Sequence, residues 1–151
     1  MKITGQCHCG AISFKATVDP QRVLVCHCAD CQQFSGGPYR AVLPTPAEDV
    51  VIAGVAKHYV KVAASGNRRV QAFCPDCGTH LYATEAEGAP KVLNIRLGCV
   101  NERASLEPHA QIWGESAMPW LSKLGSVPIH GKGTASPLMH PDSRTPGESA
   151  A

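Results

Sequence analysis

The sequence predicts a mainly β protein with short helical turns, on three observations. Apolar and polar residues alternate along several short segments, and glycine and proline punctuate the intervals between them. Seven of the eight cysteines fall into three tight clusters. Alternation with a period of two marks a half-buried strand. The clusters are Cys7-His8-Cys9-Gly10, Cys26-His27-Cys28-Ala29-Asp30-Cys31 and Cys74-Pro75-Asp76-Cys77-Gly78. Their spacing is that of metal ligands, so metal is expected to help hold the strands together.

The elements follow in order. Ile12, Phe14 and Ala16 alternate with Ser13, Lys15 and Thr17, and the apolar run Val23-Leu24-Val25 leads into the second cluster. Tyr39 to Leu43, Val50 to Ala53 and His58 to Val62 are further β-rich pieces, separated by Pro44-Thr45-Pro46 and Gly54. Arg69 to Phe73 delivers a strand into the third cluster and His80 to Thr84 leads away from it. Lys91 to Leu97 and His109 to Trp113 are the last strands. Asp30 to Ser35, closed by Gly36-Gly37, predicts one or two helical turns, and Glu115 to Leu121 another. One domain is expected over residues 1–130. Residues 131–151 hold no aromatic residue and no period, which predicts a tail that is flexible or laid over the surface.

Composition narrows the function classes. The 14 Lys+Arg against 12 Asp+Glu leave the chain close to neutral, and only 5% of it is aromatic. That argues against a nucleic-acid surface, which needs a basic track with stacking platforms. The first residues lack the apolar core of a secretory signal, and no apolar stretch approaches the roughly 18 residues of a spanning helix. A cytoplasmic protein is expected, with reduced thiols that favour metal over disulfides.

Cys7 and Cys9 pair with Cys74 and Cys77 in the simplest arithmetic. On a strand, residues two apart share a face, so Cys7 and Cys9 point together while His8 points away. Cys74-Pro75-Asp76-Cys77-Gly78 has the form of a zinc knuckle, a tight turn whose N–H groups face the thiolates. Two such pairs make a closed structural zinc site, which contributes on the order of 10 kcal/mol of folding free energy in small zinc modules. The alternatives are ordinary buried thiols or a redox pair. A redox pair needs an exposed helix start in a βαβ setting, which Pro75, Asp76 and Gly78 do not suggest.

Cys26, Cys28 and Cys31 form Cys-x-Cys-x-x-Cys with no obvious fourth ligand. Three protein ligands and an open position are the pattern of a working zinc. Three thiolates make such a zinc electron-rich, suited to a soft substrate thiolate whose pKa it lowers. Cys99, His27 or His58 can close the site instead, or the cluster can be a metal-free set of thiols.

With these clusters in place, the chain resembles the glutathione-dependent formaldehyde-activating enzymes, a family that includes centromere protein V-like proteins. Gly5 to Phe14, Cys26 to Pro38 and Phe73 to Leu81 carry the resemblance. His109 to Trp120, with Ile112-Trp113-Gly114-Glu115-Ser116 and Pro119-Trp120, carries it more weakly. It implies a zinc-stabilised β-tent fold, with a structural zinc on Cys7, Cys9, Cys74 and Cys77. It also implies a catalytic, labile zinc on Cys26, Cys28 and Cys31. The implied activity is that of a carbon–sulfur lyase joining formaldehyde to glutathione as S-hydroxymethylglutathione, in formaldehyde detoxification. Gln32-Gln33 departs from relatives that place an arginine after the third cysteine.

In the expected chemistry, glutathione sulfur binds at Cys26, Cys28 and Cys31 as a thiolate and attacks the carbonyl carbon. The alkoxide needs a donor; His27, Tyr39 and the N–H groups of Ser35 to Gly37 are candidates. Glutathione's two carboxylates call for cations, and Arg40 and Arg96 are the candidates because each adjoins an expected strand. Either can equally be a solvated surface arginine. Trp113 and Trp120 read as core or groove walls. The alternative function is a non-catalytic, zinc-stabilised glutathione carrier or protein-interaction module.

Overall fold

The computed structural model describes residues 1–63 and 65–139. It is mainly β, as expected. A three-stranded antiparallel sheet has the order β1 (Lys2–Gln6), β2 (Ser13–Thr17), β5 (Val50–Ala53). A seven-stranded sheet has the order β10 (Ala110–Ile112), β3 (Leu24–Cys26), β4 (Arg40–Pro46), β9 (Val92–Arg96), β8 (His80–Glu85), β7 (Arg68–Phe73), β6 (Lys57–Val62). Its pairs are antiparallel except β10 beside β3, which is parallel. The helix α1 (Ala29–Ser35) is capped by the Cys28 side chain at its start and by Gly36 at its end.

Alternation builds the core. Ile3, Phe14 and Ala16 of the small sheet pack in one buried cluster with Leu43, Leu81, Leu93 and Ile95 of the large one. Leu43 is wholly excluded from water, and burial of such a side chain contributes about 1.5–3 kcal/mol. Cys7, Cys74 and Cys99 belong to the same cluster, so the thiols are built into the core.

Two sequence expectations are corrected. Cys7 and Cys9 are not on a strand. β1 ends at Gln6, and the two thiols lie on the turn that joins β1 to β2, where Gly10 N–H donates to Cys7 C=O at 3.0 Å. The helical turn expected over Glu115 to Leu121 is instead split into two 3-10 turns, Gly114–Ser116 and Leu121–Ser126. Pro119 lies in the gap and has no N–H to continue a helical ladder. Of the expected tail, residues 140–151, with His140, lie outside the described residues. Residues 129–139 double back, with Met139 N–H donating to Ile129 C=O at 2.7 Å and His130 bridging Leu138.

Gly5 sits between the ring of its strand partner Phe14 and the turn that holds Cys99. A Cβ there would stand 2.1 Å from Phe14 Cζ and 2.5 Å from Cys99 C=O, one of them backbone. Gly5→Ala is therefore expected to lower the stability by about 1–3 kcal/mol, the usual cost of overpacking, read as a lower urea midpoint at unchanged slope.

Candidate metal centres and active-site cleft

The seven clustered cysteines gather into two sets. In each, the sulfurs lie within 4.8 Å of one another. Cys7, Cys9, Cys74 and Cys77 form the first. Cys7 and Cys9 come from the β1–β2 turn; Cys74 and Cys77 come from the turn between β7 and β8. Each turn is closed by a left-handed glycine, Gly10 at φ 80° and Gly78 at φ 72°, a conformation that costs any side chain but glycine's. Cys7 Sγ lies 3.5 Å from Cys9 Sγ, and Cys9 Sγ 3.7 Å from Cys74 Sγ. A tetrahedral zinc with bonds of about 2.3 Å sets its sulfurs about 3.8 Å apart. The set therefore fits such an ion.

The N–H groups converge on these sulfurs as a knuckle requires. Ile12 N–H donates to Cys7 Sγ at 3.3 Å, and Cys77 Sγ lies 3.1 Å from the Thr79 hydroxyl. That hydroxyl, with backbone N–H groups, pulls the Cys77 thiol down to about 5. Cys9 goes the other way: Ala11 N–H favours its thiolate, but Cys7 and Cys77 outweigh this and push it up to about 12. Four thiols this close cannot all ionise without a cation among them.

The second set is Cys26, Cys28 and Cys31. Cys26 ends β3, Cys28 caps α1 and Cys31 stands in its first turn, where its N–H donates to Cys28 Sγ at 3.4 Å. The Cys31 thiol holds Cys26 down at about 5, with help from Cys28 N–H and thiol, while Cys31 itself is pushed far up by Cys26 and by burial. Among the described residues no fourth His, Cys, Asp or Glu joins them. Cys99 donates instead to His80 C=O at 3.0 Å, and burial lifts its thiol to about 11. His27 turns away, with Nε2 2.8 Å from Gln111 Oε1, and lies edge-on to Tyr39. His27 and Tyr39 line a separate groove with Val25 and Gln111, so they do not face the thiols. His58 joins neither set.

Cys26 and Cys31 open onto a cleft of about 300 Å³ over one face of the large sheet. Strand alternation builds its floor from Leu24 and Cys26 on β3, Asn94 and Arg96 on β9, and Arg69 and Gln71 on β7. The register strings them across the sheet. Leu24 is opposite Val42, Val42 opposite Arg96, Gln71 opposite Ala83, and Ala83 opposite Asn94. α1 covers the floor with Cys31 and Phe34, and its Asp30 is ion-paired with Lys61 of β6.

The cleft is cationic at its base. Arg40 and Arg96 are both buried, and both donate to the same Gln71 Oε1, at 3.4 Å and 2.8 Å. Among the described residues no carboxylate lies within 4.0 Å of either guanidinium. Burial lowers Arg40, and burial followed by repulsion from Arg40 lowers Arg96 to about 9; thiolates of the triad oppose both shifts. Arg96 lines the cleft. Arg40 stands behind it, its guanidinium carbon 5.5 Å from the Phe34 ring centre. Neither is the solvated surface arginine that was the alternative for each.

Trp113 lines the cleft beside the end of β3 and is 58% exposed. At φ 58° it is the one non-glycine residue with positive φ among those described, a strain of about 1–3 kcal/mol. Gln32 ties its turn to the thiol loop: Nε2 donates to His27 C=O at 2.7 Å and to Ser116 C=O at 2.8 Å.

Lys61, Gln71, Asn94 and Phe34 were not singled out from sequence. A signal existed for two of them. Gln71 is two residues from Arg69, and Asn94 two from Arg96, so each shares a strand face with a cation. Lys61 and Phe34 reach the cleft through α1 folding over the sheet, which no local pattern shows.

A sheet-based protein with two thiol clusters that could each hold a metal ion, one of them open onto a cationic cleft, has the site of a metal-thiolate class. The particular family is settled by comparison. Residues 2–116 match the model of the glutathione-dependent formaldehyde-activating enzyme family, and the chain belongs to that family. Over 84 residues it is 31% identical to an uncharacterized lyase of Schizosaccharomyces pombe, a match covering 56% of this chain and 58% of that protein. The chain thus spans less than two thirds of that relative. A crystal structure of a Rhodobacter sphaeroides protein shares the fold, with a TM-score of 0.53 at 18% identity over 72% of this chain and 98% of that one.

Metal uptake by the triad carries a pH signature. At pH 7 Cys26 is already a thiolate and Cys31 still a thiol, so loading should release fewer than three protons. Calorimetry in two buffers of different ionisation enthalpy measures that number. Because the Cys26 pKa is depressed from its ordinary 9.0 to about 5, its help to binding persists down to about pH 5 and is lost below it. The fall of affinity with acid should steepen there, and Cys26→Ser should abolish the change of slope.

Proposed function

We propose that the protein is a zinc-dependent carbon–sulfur lyase that forms or cleaves S-hydroxymethylglutathione, or a related glutathione–aldehyde adduct, in the cytoplasm. The observation that carries this reading is the three-thiol cluster, joined by no fourth ligand among the described residues, open onto a cleft lined by the buried Arg96 with the buried Arg40 behind it. In this reading Cys7, Cys9, Cys74 and Cys77 hold a structural zinc, and Cys26, Cys28 and Cys31 hold the catalytic one. Zinc on three thiolates supplies one thing, a place where an incoming sulfur is kept as thiolate near neutral pH.

The chain's own residues do the rest. Arg96 at the cleft base, reinforced by Arg40 behind it, receives a glutathione carboxylate and offsets the negative charge of the thiolates. The substrate thiol loses its proton to solvent on binding, and its sulfur pair forms the C–S bond to the aldehyde carbon. The carbonyl π pair moves to oxygen, which takes a proton from Lys61 Nζ; solvent restores Lys61. Cleavage is the reverse. His27 and Tyr39 have no part in this, because they face the other groove.

The same distribution favours a second reading. Among the described residues, the cleft lining contains no histidine, tyrosine or hydroxyl side chain. With Lys61, held by Asp30, as the one donor invoked, such a lining also suits a carrier that holds glutathione without transforming it.

Exchange between glutathione and S-hydroxymethylglutathione, followed by NMR, separates the two. Metal-replete protein should accelerate it, and Cys28→Ser should lose the acceleration. Unaccelerated exchange with glutathione still bound would establish the carrier. Metal analysis supplies a companion prediction: two zincs per chain in the wild type and in Cys99→Ser, and one in Cys28→Ser. Loss of a zinc in Cys99→Ser would mean that the triad is closed by a fourth thiolate.

A further inference from the structure

We propose that Trp113 is a specificity-determining residue, the wall that limits the size of the group carried on the reacting carbon. Gln32 is the positioning residue that holds it there. The inference rests on the reading that a substrate thiolate binds at Cys26, Cys28 and Cys31.

Three observations place the indole beside the chemistry. Ile112, the residue before it, is the parallel register partner of Cys26, so Trp113 emerges one residue beyond the first thiol of the triad. Trp113 lines the same cleft as Cys26 and Cys31. Its backbone is tied to the thiol loop from both sides: His27 N–H donates to Ile112 C=O at 3.0 Å, and Gln32 bridges His27 C=O to Ser116 C=O. Ser116 N–H in turn donates to Trp113 C=O at 3.1 Å.

Packing does not account for this arrangement. A large ring that keeps more than half its surface in water earns little from burial, and its left-handed backbone is one that glycine holds without strain. Such strain persists where the surroundings over-determine it, and it clusters at ligand clamps. The Gln32 carboxamide is suited to this use. It is neutral and spends both of its N–H donors on the two carbonyls, so it fixes the turn without adding a charge beside the thiolates.

Trp113→Gly tests the wall without straining the backbone, because glycine adopts φ 58° freely. Adducts of glutathione with formaldehyde and with propionaldehyde are compared by kcat/KM. The variant should shift their ratio about tenfold toward the larger adduct, in the range expected for a pocket wall. Gln32→Leu should shift it the same way, whereas loss of fold or metal would lower both adducts equally. An unchanged ratio in Trp113→Gly overturns the proposal. The second readout needs no turnover. In Trp120→Phe protein, Trp113 is the sole tryptophan, and its emission should change saturably with glutathione plus aldehyde. Cobalt in place of zinc reports thiolate binding through its sulfur charge-transfer band. A changed cobalt band with flat Trp113 emission removes Trp113 from the site and leaves the proposed function standing. A silent cobalt band removes the proposed function, and this proposal with it.

Discussion

Four thiols from opposite ends of the fold share one small volume, and the rest of the architecture is arranged around that fact. Cys9 and Cys74 are 65 residues apart in the chain, yet their sulfurs are in contact. The contact joins the β1–β2 turn of the small sheet to the β7–β8 turn of the large one. Cys7 and Cys74 are buried in the core cluster itself. Thiols whose ionisation is pushed in opposite directions, Cys77 down and Cys9 up, describe a site that is electrostatically unfinished until a cation completes it. A cation held by these four thiols would make sheet packing and metal binding one equilibrium.

The thiol triad is built differently from the four-thiol set, and its construction bears on its use. All three of its ligands come from six consecutive residues, at the end of one strand and the first turn of the helix that follows. An ion bound there closes no long loop, so its loss removes little chain constraint. The fold around it is carried by the large sheet and by the first cluster. A site that contributes little to folding can exchange its fourth ligand, or its ion, without endangering the protein.

Much of this was legible in the sequence, and the rest was hidden for physical reasons. The cysteine spacings exposed both thiol sets, because ligand spacing is a local property of turns. The alternation of Phe14 and Ala16 with Ser13, Lys15 and Thr17 showed a strand, because burial on one face writes a period of two. The setting of Cys7 and Cys9 was misread as strand. Two thiols with one residue between them share a side in a strand and also in a tight turn, and Gly10 was the residue that distinguished the cases. Glu115 to Leu121 looked helical by composition, but Pro119 breaks the ladder. The partners of Arg40 and Arg96 were out of reach, since Gln71 meets them only through the pairing of β4, β9, β8 and β7.

Those partners bear on the question of what the cleft was built to hold. Two buried guanidiniums normally demand carboxylates, because an unpaired buried cation is costly. Here they share a single neutral amide oxygen, and the nearest negative charge is that of the thiolate triad. A metal held by three thiolates carries one net negative charge, and a substrate thiolate in the fourth position makes it two. In the proposed reading, Arg40 and Arg96 would then face more negative charge with ligand bound than without it, which is the direction that relieves two buried cations.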